Sequence, residues 1–311
     1  TFRGPTALPI RRNVSTCFRR TVILFSMAGV TIGVFDSGFG GLTVMRALLP
    51  LVPGARFIYL GDTARLPYGD KSKATIVRYA LSSAAFLLAQ GADLLVVACN
   101  TASALALKEM QAALPIPVVG VIEPGVAAAR ILTPAPPAGF VHELSGPDKS
   151  CSVLVMATAA TVQSHAYAAA CSALGLRAYE KACPLLVPLV EEGWIDSPAR
   201  GTVTEAVLSI YLTEALAEAP RARTLVLGCT HYPLLQPLIE RVLLSLGHPL
   251  EIVDSAAATA QAARALLPAG AGGNFTRTMF YATDSVEKFA RLGSAFLGQP
   301  LGEVHLLDLG G

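Results

Sequence analysis

Leu94-Leu95-Val96-Val97-Ala98-Cys99-Asn100-Thr101 decides how the chain reads, because Leu225-Val226-Leu227-Gly228-Cys229-Thr230-His231 nearly repeats it much later. Each opens on a short aliphatic run that reads as a buried strand. Each then reaches a cysteine, followed by hydroxyl or amide side chains and a helical stretch. In an open α/β fold, ligands bind in the crevice at the carboxyl ends of the strands. Two thiols placed there predict one site with a cysteine on each side. That arrangement suits chemistry that takes a proton from one face of a carbon and returns one to the other.

Outward from these two stretches, strand-like and helical runs alternate almost throughout. Strands are predicted at Thr31–Phe35, Arg56–Leu60, Leu94–Ala98 and Pro117–Val121, with helices at Leu42–Leu49, Lys73–Gln90 and Ser103–Ala113. A second series has strands at Val153–Ala157, Ala178–Ala182, Thr224–Gly228 and Glu251–Asp254. Its helices fall at Val162–Leu174, Ala199–Glu218, Pro233–Leu246 and Ala256–Leu267, and a strand Thr278–Ala282 and a helix Val286–Leu297 close the chain. Continuous aliphatic strands between helices imply a mostly parallel sheet covered on both faces. Pro134–Pro147 reads as an exposed loop. The expected architecture is therefore α/β, two similar three-layer αβα lobes with a cleft between them. Residues 30–122 plus 256–311 would form the first lobe and 123–255 the second.

Composition narrows the function classes. Hydrophobic residues make up 53% of the 311 and charged residues 15%, against about 25% charged in an ordinary globular domain. A net charge of +2 gives no reason to expect nucleic acid or a membrane surface as the main partner. Mean hydropathy is high at +0.53, yet no stretch offers the ~20 uninterrupted apolar residues of a spanning helix. Even Ala80–Leu107 is broken by Gln90-Gly91, Asp93 and Asn100. Residues 1–26 carry Arg3, Arg11, Arg12, Arg19 and Arg20 without an acidic residue. They read as a disordered leader or sequence upstream of the true start (the leader being taken as 1–29), with a signal or transit peptide as the alternatives. The six cysteines are scattered with no C-x-x-C spacing, which fits reduced thiols in the cytoplasm rather than a disulfide framework.

Several motifs follow predicted strands. Phe35-Asp36-Ser37-Gly38-Phe39-Gly40-Gly41 ends the first strand and opens a helix, and its glycines permit a sharp turn with N–H groups free to meet an anion. A plain turn with Asp36 or Ser37 as helix cap is the blander reading. Asp62-Thr63-Ala64-Arg65-Leu66-Pro67-Tyr68-Gly69 follows the second strand and can present backbone groups of Tyr68 and Gly69 to a ligand, or simply connect two elements. A cysteine at a strand end beside a helix N-terminus is expected to have a lowered pKa, and His231 is placed to serve Cys229 as base or proton relay. Zinc on Cys99, Cys229 and His231 would lack any characteristic ligand spacing. The lysines, Lys288 among them, lie outside all these motifs, so no Schiff-base site for pyridoxal phosphate is evident.

Together with Ala98-Cys99-Asn100-Thr101-Ala102, Gly120-Val121-Ile122-Glu123-Pro124-Gly125 and Gly228-Cys229-Thr230-His231-Tyr232-Pro233, these motifs give the chain a specific likeness. From about Val30 to the last helix it resembles the glutamate racemases of the cofactor-independent aspartate/glutamate racemase superfamily. The resemblance implies Cys99 and Cys229 as proton donor and acceptor, assisted by Asp36 and His231 respectively. It implies Ser37, Pro67, Tyr68, Gly69, Asn100, Thr101, Thr161 and Thr230 as substrate-holding residues, with Glu191 near the site; a solvated helix-end carboxylate is the plainer account of Glu191. No cofactor and no metal are expected, the substrate is glutamate, the partner a second copy of the chain, and the product D-glutamate for peptidoglycan. A racemase for another amino acid such as aspartate, or a non-catalytic amino-acid-binding regulator, are the alternatives. The chain departs from the family in Ala157-Thr158-Ala159-Ala160-Thr161, where glycine-threonine pairs are usual; alanine resists positive φ, so the path of that loop is a point for the structure to decide.

Overall fold

The computed structural model describes residues 29–133, 151–195, 198–273 and 275–310. Residues 1–28 of the leader and the Pro134–Pro147 loop lie outside the described residues. The first half of the fold runs β1 (Thr31–Asp36), α1 (Leu42–Leu48), β2 (Arg56–Gly61), α2 (Lys73–Ala89), β3 (Leu94–Val97), α3 (Asn100–Ala113), β4 (Val118–Gly120) and α4 (Ile122–Leu132). Next come β5 (Cys151–Ala157), α5 (Ala159–Gln163), α6 (Ala166–Ala173), β6 (Leu176–Ala182), α7 (Leu186–Glu191), α8 (Pro198–Glu218), β7 (Thr224–Gly228), α9 (Gln236–Ser245) and β8 (Glu251–Asp254). The fold closes with α10 (Ser255–Ala265), β9 (Arg277–Ala282), α11 (Val286–Leu297) and β10 (Val304–Leu306).

Two sheets result, one ordered β10-β9-β2-β1-β3-β4 and the other β6-β5-β7-β8. Every pairing among the described residues is parallel, as the aliphatic runs predicted. The reason is visible in the alternation of the first sheet. Ile32, Val34, Phe57, Tyr59, Leu94 and Val96 belong to a core shared with α1, α10 and α11. Phe35, Ile58, Leu60, Leu95 and Val97 belong to a second core with α2 and α3. Both faces are dry, so neither can carry polar residues.

The core on the α1 side does not stop at the first sheet. It continues through α10 and α4 into Val153, Val155, Leu225 and Leu227 of the second sheet. α10 packs on α1 as well as on α4, and α4 lies against β7 and β8. The two sheets are thus joined by a hydrophobic layer, with their strand ends meeting above it.

The differences from the predicted elements have local causes. α4 and α7 were not among the predicted helices, and each contains a proline, Pro124 and Pro188 respectively. Each proline sits in the first turn of its helix, where its missing N–H has no intrahelical acceptor to lose. The helix predicted over Val162–Leu174 is two helices, broken at His165 with φ 53. The Ala157–Thr161 loop has no positive φ, so alanine fits there without strain.

Candidate active site

In a doubly wound sheet the crevice opens where the chain reverses its direction of strand addition. The first sheet reverses between β1 and β3, the second between β5 and β7. Asp36 and Cys99 stand at the ends of β1 and β3, while Thr158 and Cys229 stand at the ends of β5 and β7. The repeated strand–cysteine pattern therefore marks equivalent positions in two sheets.

On the first-sheet side, Cys99 caps α3, which begins at Asn100 rather than at Ser103 as predicted. The Ala102 N–H donates to Cys99 Sγ at 3.4 Å, and the thiol donates to Ser37 Oγ at 3.4 Å. Asp36 is buried; its Oδ2 accepts from Gly38 N–H at 2.9 Å, and Oδ1 has no hydrogen-bond partner among the described residues. Asn100 accepts a 2.7 Å hydrogen bond from Tyr167 of α6 at its Oδ1, leaving its buried Nδ2 similarly unpartnered. The hydroxyl of Thr101 lies 3.1 Å from that of Thr158 and 3.2 Å from that of Thr161, which are 3.0 Å from each other. This triangle joins the two sheets' loops.

On the opposite side, Cys229 Sγ lies 4.0 Å from His231 Nδ1, and Thr230 Oγ1 lies 3.5 Å from the same nitrogen. His231 Nε2 is 3.3 Å from Glu191 Oε1. Glu191 is mostly buried at the end of α7, and its other oxygen is 3.3 Å from Lys288 Nζ. Burial pushes its pKa up, but the hydrogen bond from His231 and the charges of His231 and Lys288 outweigh that and hold it below the usual carboxylate range. It is thus the partner of His231, not a solvated carboxylate.

The Asp36–Gly41 turn brings the two sides together. A Cβ at Gly40 would stand 2.2 Å from Thr230 Oγ1 and 2.7 Å from His231 Nδ1, and one at Gly41 2.6 Å from Asp36 Cβ. Thr43 reaches across to the Thr230 carbonyl at 3.4 Å. The loop after β2 is anchored by Asp62, fully buried, which accepts from the Tyr68 hydroxyl at 2.5 Å and from Thr283 Oγ1 at 3.0 Å. Tyr68 thus spends its hydroxyl on Asp62. Gly69 adjoins Thr158, and Pro67 is exposed.

One expectation is overturned. The helix N–H groups were expected to lower the thiol pKa values, but burial raises both. Cys99 is pushed up to about 11, first by loss of solvent and next by the Asp36 charge, against the hydrogen bonds from Ser37 and Ala102. Cys229 is pushed up further by burial, with the charges of Cys99 and Asp36 adding to it. Desolvation of a charge in a closed site exceeds what one or two N–H groups return. Asp36 is raised by burial too, although Gly38 N–H and the charge of His231 oppose it. No group of three His, Cys, Asp or Glu side chains able to hold a metal ion occurs among the described residues.

Three contributors escaped the sequence reading. Tyr167 sits in an alanine-rich helix with no motif around it, and Lys288 was set aside with the other lysines. Asp62 lay inside a quoted motif, but only its burial reveals that it anchors Tyr68.

The protein is of the α/β class, with a buried cysteine at the reversal point of each of its two parallel sheets. The chain is a member of the Asp/Glu/Hydantoin racemase family, an isomerase family whose model matches residues 32–263. It is 48% identical to a glutamate racemase of Koribacter versatilis (strain Ellin345), with 90% of this chain and 98% of that one covered. Among solved structures it is similar to the glutamate racemase of Thermus thermophilus in complex with beta-chloro-D-alanine (41% identity, TM-score 0.74, 91% and 98% covered). It is also similar to that of Francisella tularensis subsp. tularensis SCHU S4 in complex with D-glutamate (32% identity, TM-score 0.77, 91% and 99% covered).

Proposed function

We propose that the chain interconverts L- and D-glutamate by proton transfer at Cα between two thiols, with no cofactor. The observation that carries this is the placement of Cys99 and Cys229 at matching reversal points of the two sheets, each with its own polar neighbour. One cysteine, as thiolate, removes the Cα proton; the other, as thiol, protonates the opposite face of the planar carbanion. Because the product is the mirror image of the substrate, the same pair runs the reverse reaction with the roles exchanged.

The raised thiol pKa values make the ligand-free site resist ionisation. A bound α-ammonium brings a positive charge beside Asp36 and offsets the charge that opposes the Cys99 thiolate. Asp36 Oδ1 and Asn100 Nδ2, buried without partners, are an acceptor and a donor suited to an ammonium and a carboxylate. Ser37, Thr101, Thr158, Thr161, Thr230 and the Pro67-Tyr68-Gly69 backbone complete the cradle. Preorganised donors of this kind stabilise the carbanion's developing charge. His231, oriented by Glu191, serves Cys229 as proton relay.

We read the chain as a cytoplasmic enzyme supplying D-glutamate for peptidoglycan and acting as a homodimer, with the lobe boundaries at 122/123 and 255/256. No helix among the described residues is long and apolar enough to cross a membrane.

The test is Cα-hydrogen exchange in heavy water, starting from each enantiomer of glutamate and, in parallel, of aspartate. Deuterium is expected to enter glutamate with loss of optical activity, and Cys99→Ser or Cys229→Ser is expected to abolish racemisation. Full racemase activity surviving either substitution removes the two-thiol mechanism. Exchange into aspartate alone reassigns the substrate, and exchange into neither leaves a binding protein.

A further inference from the structure

We propose that Lys288 is a positioning residue for the Cys229 half of the site, acting through Glu191 and His231; this rests on the proposed racemase reading. Lys288 lies on α11, in the layer of the first sheet, whereas Glu191 ends α7 beside the second. Its ammonium meets Glu191 Oε2 at 3.3 Å while Oε1 meets His231 Nε2 at 3.3 Å. The carboxylate is therefore pinned at both oxygens, so its orientation, and that of the imidazole it holds, depends on a side chain from across the cleft.

The aromatic packing points the same way. The His231 ring meets Phe296, also on α11, edge to face at a centroid distance of 5.0 Å, and Phe39 at 6.0 Å. Lys288 Nζ stands over the Phe39 ring at 5.8 Å. One helix thus supplies both a packing surface for His231 and the cation that steadies its carboxylate. The link spans the two halves of the cleft, so any motion that separates them breaks it.

A half-exposed lysine pair often contributes nothing measurable, and that is the competing account. What distinguishes the two is the location: the ionised Glu191 faces His231 and Lys288, and His231 in turn faces Cys229 and bears on Asp36. Removing the Lys288 charge removes one of the causes that hold Glu191 below the carboxylate range. Glu191 then takes up its proton at higher pH, so the acid limb of the kcat profile moves upward.

The experiment measures racemisation of L- and D-glutamate by wild type, Lys288→Met and Lys288→Arg from about pH 3 to 9, at low and high salt. Wild-type activity establishes the racemase reading independently; its absence refutes that reading and this proposal with it. Lys288→Met is expected to lose about three- to tenfold in kcat, with KM within about twofold and the acid limb raised by roughly half a pH unit. Lys288→Arg is expected to restore kcat and the profile, and high salt is expected to slow wild type but not Lys288→Met. A Lys288→Met enzyme with wild-type kcat and profile overturns the proposal, as does a loss that Lys288→Arg fails to rescue. A matching fall in thermal stability of Met and Arg variants alike would make Lys288 merely structural and overturn it too.

Discussion

Replacing Gly40 by alanine adds one methyl group at the point where the two sides of the cleft touch. That methyl carbon would stand 2.2 Å from Thr230 Oγ1, 2.7 Å from His231 Nδ1 and 2.9 Å from His231 Cε1. Ordinary contact begins near 3.4 Å, so the Thr230–His231 segment must retreat by about 1 Å. Rotation of the threonine side chain cannot absorb this, because the imidazole, itself packed against Phe39 and Phe296, is also too close. Misplacement of a catalytic group by about 1 Å costs on the order of 10²-fold in rate, whereas overpacking one methyl costs about 1–3 kcal/mol of stability. Gly40→Ala should therefore remain folded at 25 °C and lose on the order of 10²-fold in kcat/KM. The assay is loss of optical rotation from L-glutamate beside a thermal melt followed by circular dichroism. Gly302→Ala, whose added carbon meets nothing within 4 Å, is the control and should behave as wild type. A folded Gly40→Ala enzyme within threefold of wild-type kcat/KM would falsify the claim that this glycine sets the approach of Thr230 and His231.

Two further predictions read the site's electrostatics and its polar scaffold. Without substrate, alkylation of Cys99 by iodoacetamide, followed by mass spectrometry of its peptide, should rise about tenfold per pH unit toward pH 11, because only the thiolate reacts and burial keeps it protonated; a plateau by pH 9 would contradict the raised pKa. Tyr167→Phe leaves the buried Asn100 Oδ1 without its 2.7 Å donor, so it should lower unfolding free energy by about 1–3 kcal/mol and raise the KM for glutamate. Urea titration reads the first effect, and stability unchanged within about 0.3 kcal/mol would mean that the bond contributes nothing net.

Much of the fold was legible because buried parallel strands must be aliphatic on both faces. That requirement made Leu94–Val97 and Leu225–Leu227 stand out, and all nine predicted strands occur. Among the described residues only the three-residue β10 was missed, since a run that short carries no periodicity. The helices that escaped, α4 and α7, each contain a proline whose position in the first turn makes it harmless, and position within a turn cannot be judged before the turn itself is known. His165 splits one predicted helix because a left-handed residue leaves no mark on composition.

The site divides in the same manner. Cys99, Cys229, Asp36 and His231 announced themselves by standing at strand ends, a property of the local sequence. Sequence alone therefore determined the layered parallel architecture, the two matching thiols and the polar residues beside them, because each depends on a few neighbouring residues and on burial. It could not determine that Glu191 and Lys288 complete a line behind His231, nor that Gly40 must stay small, since these contacts join segments far apart in the chain, and Lys288 and Gly40 come from the side of the other sheet. It also misjudged the thiols' acidity: the helix N–H that lowers a pKa is local, whereas the desolvation that raises it is produced by the whole fold closing around the cysteine. Only the tertiary structure sets that balance, because the solvent a group loses depends on every segment packed over it.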